Sequence, residues 1–287
     1  MKKNEGPMLD WHRSDIEQSL AFRGGKYTDV NTWFALFVAA LLTGLFFVAL
    51  CHVPAEIRNK RVFDMVLDRG WTPYAMVGFF FLAMTIVFAK WRKLAFQRKA
   101  LQVELVPLGD SFALTSETAV DVLKKLRETV DDPKCFVLFN RIERALQNLR
   151  NVGNLSDVSE MLRAQAENDE NHMDSSYGLL AGIVWAIPIL GFIGTVIGLS
   201  GAIGGFGKVL NSDASVSSLK EGLAPVTENL GVAFDTTFVA LVLAMFIQLV
   251  VTLLRKSEEL FMDECRDYAH VSVISRLRFK SGEGAAG

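Results

Sequence analysis

The sequence predicts an all-α, polytopic membrane protein with four transmembrane helices and a helical cytoplasmic domain between spans two and three. Four stretches of bilayer-crossing length carry no charge or a single one. The segment between the second and third shows apolar residues at helical spacing. The 287 residues are 51% hydrophobic with a mean hydropathy of +0.27, above the soluble range and below that of a chain made only of spans.

The N-terminal cytoplasmic segment, 1–32, comes first. Leu9, Ile16 and Leu20 fall on one side of an amphipathic helix expected to lie on the membrane surface. No cleavable signal peptide is expected, because the first apolar run begins only at Trp33. The first transmembrane pair with its external loop, 33–89, comprises spans Trp33 to His52 and Trp71 to Ala89.

Flanking cations set the orientation. Lys90, Arg92, Lys93, Arg98 and Lys99 follow the second span, and Arg255 and Lys256 follow the fourth, so both ends are expected inside. An even number of spans then puts both termini in the cytoplasm. Arg58, Lys60, Arg61 and Arg69 run against this rule in the first external loop, accompanied by Glu56, Asp64 and Asp68.

The helical cytoplasmic domain, 90–177, reads as three helices. Ser116 opens one with Ala119, Leu123, Leu126 and Val130 on its apolar face, ended by Asp131-Asp132-Pro133. The next carries Phe139, Ile142, Leu146 and Leu149 and stops at Gly153. A third begins near Asp157, with Glu160 placed for a capping box, and nothing breaks it before the membrane.

The last spans, Leu179 to Phe206 and Gly231 to Leu254, form the transmembrane pair of 178–254, joined by a cation-poor external loop from Gly207 to Leu230. The tail, 255–287, continues as a charged cytoplasmic helix and ends in a small, polar stretch expected to be disordered.

Within the third span Gly191, Gly194, Thr195, Gly198, Gly201, Ala202 and Gly205 recur at steps of three and four, a groove where another backbone can approach. Ala233, Thr237, Ala240 and Ala244 make a matching stripe in the fourth, with Thr236 beside it. The stripes face each other or a third helix between them. They serve plain packing, with each hydroxyl satisfied on its own helix, or they line a polar path. Pro188 is a hinge or a tolerated kink. Asp235, the one carboxylate within a span, either serves ion access and partner pairing or simply reaches the water interface.

Other chemistries find no support. The formal net charge is −2 with no strongly basic domain, so nucleic acid is not the main partner. Cys51, Cys135 and Cys265 form no CxxC pair, and His12, His52, His172 and His270 are scattered, so no metal site or disulfide framework is expected. Gly201 to Lys208 lacks the glycine and the Ser or Thr of a phosphate loop, having Ala202 and Val209 there. With no nucleophile–base pair visible, the chain is not expected to be an enzyme or to hold a cofactor.

"PILGFIGTVIG", Pro188 to Gly198, and "LAPVTENLGVAFDTTFVALVLA", Leu223 to Ala244, together resemble the MotA/TolQ/ExbB ion-channel family. The resemblance covers the second half of the chain; the first half matches in layout alone. It implies the larger subunit of an ion-driven motor in the bacterial inner membrane: a homo-oligomer, typically a pentamer, around two copies of a single-span MotB/TolR/ExbD-like partner. That partner carries an ion-binding aspartate, and the transported ion is H+ or Na+.

Position by position, the resemblance maps Thr195 onto the polar threonine of the third-span motif. It maps Thr237 onto that of the "ALxAT" motif, read here as Ala233 to Thr237. Pro188 matches a proline tied to conformational change in flagellar stators. Under this reading the glycines admit the partner's helix, and Thr195 and Thr237 offer oxygens to the ion. The four spans and large insert are more like MotA, whereas the motifs are more like TolQ and ExbB. Asp235 replaces an ordinarily apolar or small residue of the ExbB motif. The alternative is a non-conducting membrane scaffold or sensor that binds a soluble partner through the helices of Ser116 to Arg150.

Overall fold

The computed structural model describes residues 8–20, 22–53, 60–67, 69–106, 113–115, 117–149, 155–210 and 216–278. The helices are α1 (Trp11–Ser14), α2 (Ile16–Ser19), α3 (Thr32–Cys51), α4 (Lys60–Leu67), α5 (Thr72–Gln97), α6 (Thr118–Thr129), α7 (Val137–Asn148), α8 (Leu155–Ser176), α9 (Gly178–Leu210) and α10 (Val216–Ser272). Short 3-10 turns cover Arg98–Gln102, Pro133–Cys135 and Ile274–Arg276. Among the described residues there is no strand, only two isolated bridges, Leu9 with Val130 and Leu114 with Leu277. Four helices among the described residues are long and apolar enough to cross a membrane, and each overlaps one of the four spans read from the sequence.

The chain divides into two compact units, one of 1–31, 88–177 and 253–287, the other of 32–87 and 178–252. The first is built on the apolar faces of α6, α7 and the C-terminal part of α10. Phe139, Ile142 and Leu146 of α7 and Leu149 at its C-cap are all buried, as their spacing requires, and so are Ala119, Leu126 and Val130. Leu123 is only half-buried; Val122 takes the inward position beside it.

The N-terminal segment departs from the amphipathic helix expected of it. Asp10 and Asp15 cap two separate one-turn helices, accepting from the backbone N–H of Arg13 and Glu17. Leu9 and Trp11 are buried within the unit, and the Trp11 ring meets Phe96 and Phe136 at centroid distances of 5.8 and 5.4 Å. The indole, absent from the Leu9, Ile16 and Leu20 stripe, anchors the segment in a protein core. Leu20 is left exposed.

Polar side chains fix the same unit from inside. Lys93 Nζ lies 3.0 Å from Glu17 and 3.7 Å from Asp15, all three buried. Asn140 donates to the Tyr27 hydroxyl at 2.6 Å, which donates to Asp169 at 3.1 Å. Burial and the Asp169 carboxylate hold the Tyr27 phenol well above its ordinary range, so it remains a donor.

A third network joins α5, α10 and the α8–α9 turn. Lys90 is 3.5 Å from Glu258, and Tyr177 donates to Glu258 at 2.6 Å. Thr28 also donates to Glu258, while Lys90 donates to Ser176 at 2.8 Å and lies 4.3 Å from the centre of the Tyr177 ring.

Two continuities differ from expectation. The third helix of the 90–177 segment does not run into the third span without interruption: α8 stops at Ser176 and α9 starts at Gly178, with Tyr177 alone in the turn. The 207–230 segment is not a simple loop either. Helix α9 continues to Leu210, and α10 begins at Val216 and runs on through Pro225 despite the helix-breaking cost of an internal proline. The connection between the first two spans likewise contains a short helix, α4. Ser116, Gly153, Glu56, Arg58, Asp68 and the 281–287 tail lie outside the described residues.

The second unit holds α3, the first part of α5, α9 and the first part of α10. Phe46 and Phe81 meet at 5.6 Å, and Phe80 and Phe246 at 6.1 Å. Large apolar side chains are outward, among them Trp185, Phe192, Phe238 and Met245, as expected of helices surrounded by lipid or neighbouring subunits rather than water.

Candidate functional site

The small residues of α9 and α10 pack directly against each other. A Cβ added at Gly198 would lie 2.7 Å from both the Ala233 nitrogen and the Asn229 oxygen, backbone atoms that cannot give way. At Gly194 it would lie 2.5 Å from the Thr236 hydroxyl, and at Gly191 it would collide with Ala240. The α9 groove read as a place for a partner's helix is therefore filled along these positions by the chain's own fourth span. Ala233 and Ala240 are buried in this contact.

Thr195 and Thr237 meet across it, hydroxyl to hydroxyl. Thr195 donates to Gly191 O of its own helix at 3.2 Å or to Ala233 O of the opposite one at 3.0 Å. Thr237 has the mirror-image choice, Ala233 O at 3.2 Å or Gly191 O at 3.2 Å. Two hydroxyls and two carbonyls thus form a cluster of four oxygens with only two donor hydrogens. Both threonines are half-buried, so the cluster lies at the edge of the helix contact and not at its centre.

Thr236 behaves differently. It is fully buried against Gly194, and its hydroxyl donates to Val232 O at 2.9 Å or to Ala233 O at 3.3 Å, so it packs the interface and touches the oxygen cluster only through that shared carbonyl. Pro188 lies one turn before Gly191, and α9 continues helically through it.

Asp235 is paired. The Arg69 guanidinium approaches its carboxylate at 3.0 Å through Nη2 and 3.2 Å through Nε, with each side chain about one-fifth exposed. Arg69 precedes Gly70, whose φ of +81° makes the turn into α5. The cation that strained the orientation rule and the acid that strained the span are each other's partners. Neither the pair nor the Lys90–Glu258 network was anticipated. A signal for the second existed: Leu254, Glu258, Phe261, Cys265 and Ala269 recur at steps of four and three, which places Glu258 on a buried stripe.

Among the described residues no group of His, Cys, Asp and Glu is arranged to hold a metal ion. The three cysteines are unpaired. Burial, then the neighbouring Asp132 carboxylate, pushes the Cys135 thiol up to about 12, where it is inert as a nucleophile.

Spans of this length, with a threonine-centred oxygen cluster between the third and fourth, define a polytopic helical membrane protein with polar chemistry inside its spans. Residues 137–266, the stretch from α7 to α10, match the model of the MotA/TolQ/ExbB proton channel family. No curated protein and no solved structure matches the chain.

Proposed function

We propose that the chain is the channel-forming subunit of an ion-driven motor in the bacterial inner membrane, with both termini in the cytoplasm. Ions, H+ or Na+, pass down their gradient beside the Thr195–Thr237 oxygens. A single-span partner of the MotB/TolR/ExbD kind converts that flow into rotation or mechanical work. The observation that carries this reading is the meeting of the two motif threonines within a stretch that matches a proton channel family.

The chemistry supports it. Four oxygens with two movable protons can share a small cation or relay a proton through water, and each hydroxyl can turn between a carbonyl of its own helix and one of its neighbour. Because the cluster lies at the edge of the α9–α10 contact, a partner helix can reach it without parting the two spans. The outward Phe192, Phe238 and Met245 suit burial against lipid, that helix or further copies of the chain. The assembly proposed is a pentamer around two partner copies, with no cofactor. Asp235, held by Arg69, belongs to the ion's approach; Pro188 is a candidate hinge.

Native mass spectrometry of the complex from its own membrane tests this assembly. Five copies with two of an aspartate-bearing single-span protein are expected. A lone monomer or dimer, stable across detergents and without such a protein, would contradict the proposal and favour a scaffold working through its cytoplasmic helices.

A further inference from the structure

The first unit contains a cleft of about 590 Å³ bounded by α7, α8 and the end of α10. Its apolar lining is Leu162, Ala166, Ala269 and Ile274. Its charged lining is three arginines, Arg141, Arg163 and Arg266, against Glu167 and Glu170, with Ser159 and His270 beside them. Arg266 and Glu170 are in contact with each other. Arg163 is exposed and forms no ion pair among the described residues.

Arg141 is the informative member. Its side chain is 1% exposed, and Nε donates to Asp169 at 2.8 Å. Nη2 reaches only the Met262 sulfur, at 3.7 Å, and Nη1 is buried with no hydrogen-bond partner. A guanidinium carries five N–H donors, and one carboxylate oxygen and one weak sulfur acceptor leave most of them unsatisfied. Native proteins rarely leave such a group unmatched unless a ligand, ion or water completes it.

We propose that this cleft binds a small organic anion. Arg163 and Nη1 of Arg141 hold its phosphate or carboxylate oxygens, and Leu162, Ala166 and Ile274 cover its carbon skeleton. Arginine suits this task because its planar donor array matches an oxyanion and its charge is permanent. Ordered water alone would satisfy Nη1 but would not explain a second, unpaired arginine facing the same space.

The test is titration calorimetry on the full-length protein in nanodiscs, with inorganic pyrophosphate and citrate as probes. Saturable binding of one probe per chain is expected; pyrophosphate alone would identify the oxyanion as phosphate, citrate alone as carboxylate. Arg163→Gln is expected to weaken binding roughly tenfold, the usual effect of losing one charge-assisted contact. Arg127→Gln, on an exposed arginine that does not line the cleft, is expected to leave it unchanged. Arg141→Lys is expected to abolish binding; if that variant does not fold, Arg163→Gln decides alone. No saturable binding of either probe, binding indifferent to Arg163→Gln, or an equal loss in Arg127→Gln would overturn the proposal.

Discussion

The Arg69 guanidinium lies 3.0 Å from the Asp235 carboxylate and joins the turn before α5 to the part of α10 that carries the motif threonines. Each charge taken alone is costly when largely buried, and each offsets the other's cost. Asp235→Asn and Arg69→Gln are each expected to lower the Tm of the purified protein. The double variant is expected to lose less than the sum, with a coupling of about 1 kcal/mol for a partly exposed pair. Additive losses in this double-mutant cycle would show that the contact contributes nothing.

Gly198 is the tightest backbone approach between α9 and α10. Gly198→Ala is expected to cost about 1–3 kcal/mol, the range for overpacking a contact that cannot relax. Gly204→Ala, in the same helix with nothing within 4 Å of its added Cβ, is expected to cost nothing and to gain up to about 1 kcal/mol of helix propensity. Thermal unfolding of the two variants side by side checks this, and equal stability would mean that the spans do not pack as described.

The Lys90–Glu258 pair is fully buried, so removing one partner strands the other charge. Lys90→Met or Glu258→Gln is expected to destabilise the protein by about 3–5 kcal/mol, and the double variant to recover part of that loss. Denaturation midpoints of the three variants decide the matter.

Two groups near the N-terminus give opposite pH dependences. Burial pushes Asp131 up, but the N–H groups of Trp11, His12 and Asp132 outweigh it and hold the carboxyl below its ordinary range. Its contribution to stability is therefore full above the unfolded carboxylate range, about pH 4, and is lost as pH falls through the lower folded value. His12 is raised, chiefly by its hydrogen bond with Gln18. Its contribution is full below the unfolded imidazole value and fades as pH rises through the higher folded one. The Tm difference between wild type and Asp131→Asn is expected to shrink on acidification below about pH 4. For His12→Asn it is expected to shrink between about pH 6 and 8.

The spans were legible in the sequence because lipid imposes a length and an absence of charge that few other structures share. The opposed stripes of α9 and α10 were legible too, since small residues three and four apart can only form one face. What the sequence did not reveal is which face meets which. Gly198 is equally fit to receive a partner's helix or the chain's own, and only the position of Asn229 and Ala233 shows the second. Arg69 and Asp235 are 166 residues apart, so no local pattern connects them. The membrane-surface helix of Leu9, Ile16 and Leu20 did not form because tertiary burial of the neighbouring Trp11 against Phe96 and Phe136 overrode a weak local periodicity.

The central claim is that the Thr195 and Thr237 hydroxyls carry the ion. It is tested most directly by dye-monitored H+ and Na+ flux into proteoliposomes holding the purified complex, with assembly verified by native mass spectrometry. Thr195→Val and Thr237→Val are expected to abolish flux while leaving assembly intact, and Thr237→Ser, which keeps the hydroxyl, is expected to retain it. Undiminished flux in both valine variants would contradict the account and leave the threonines as packing residues.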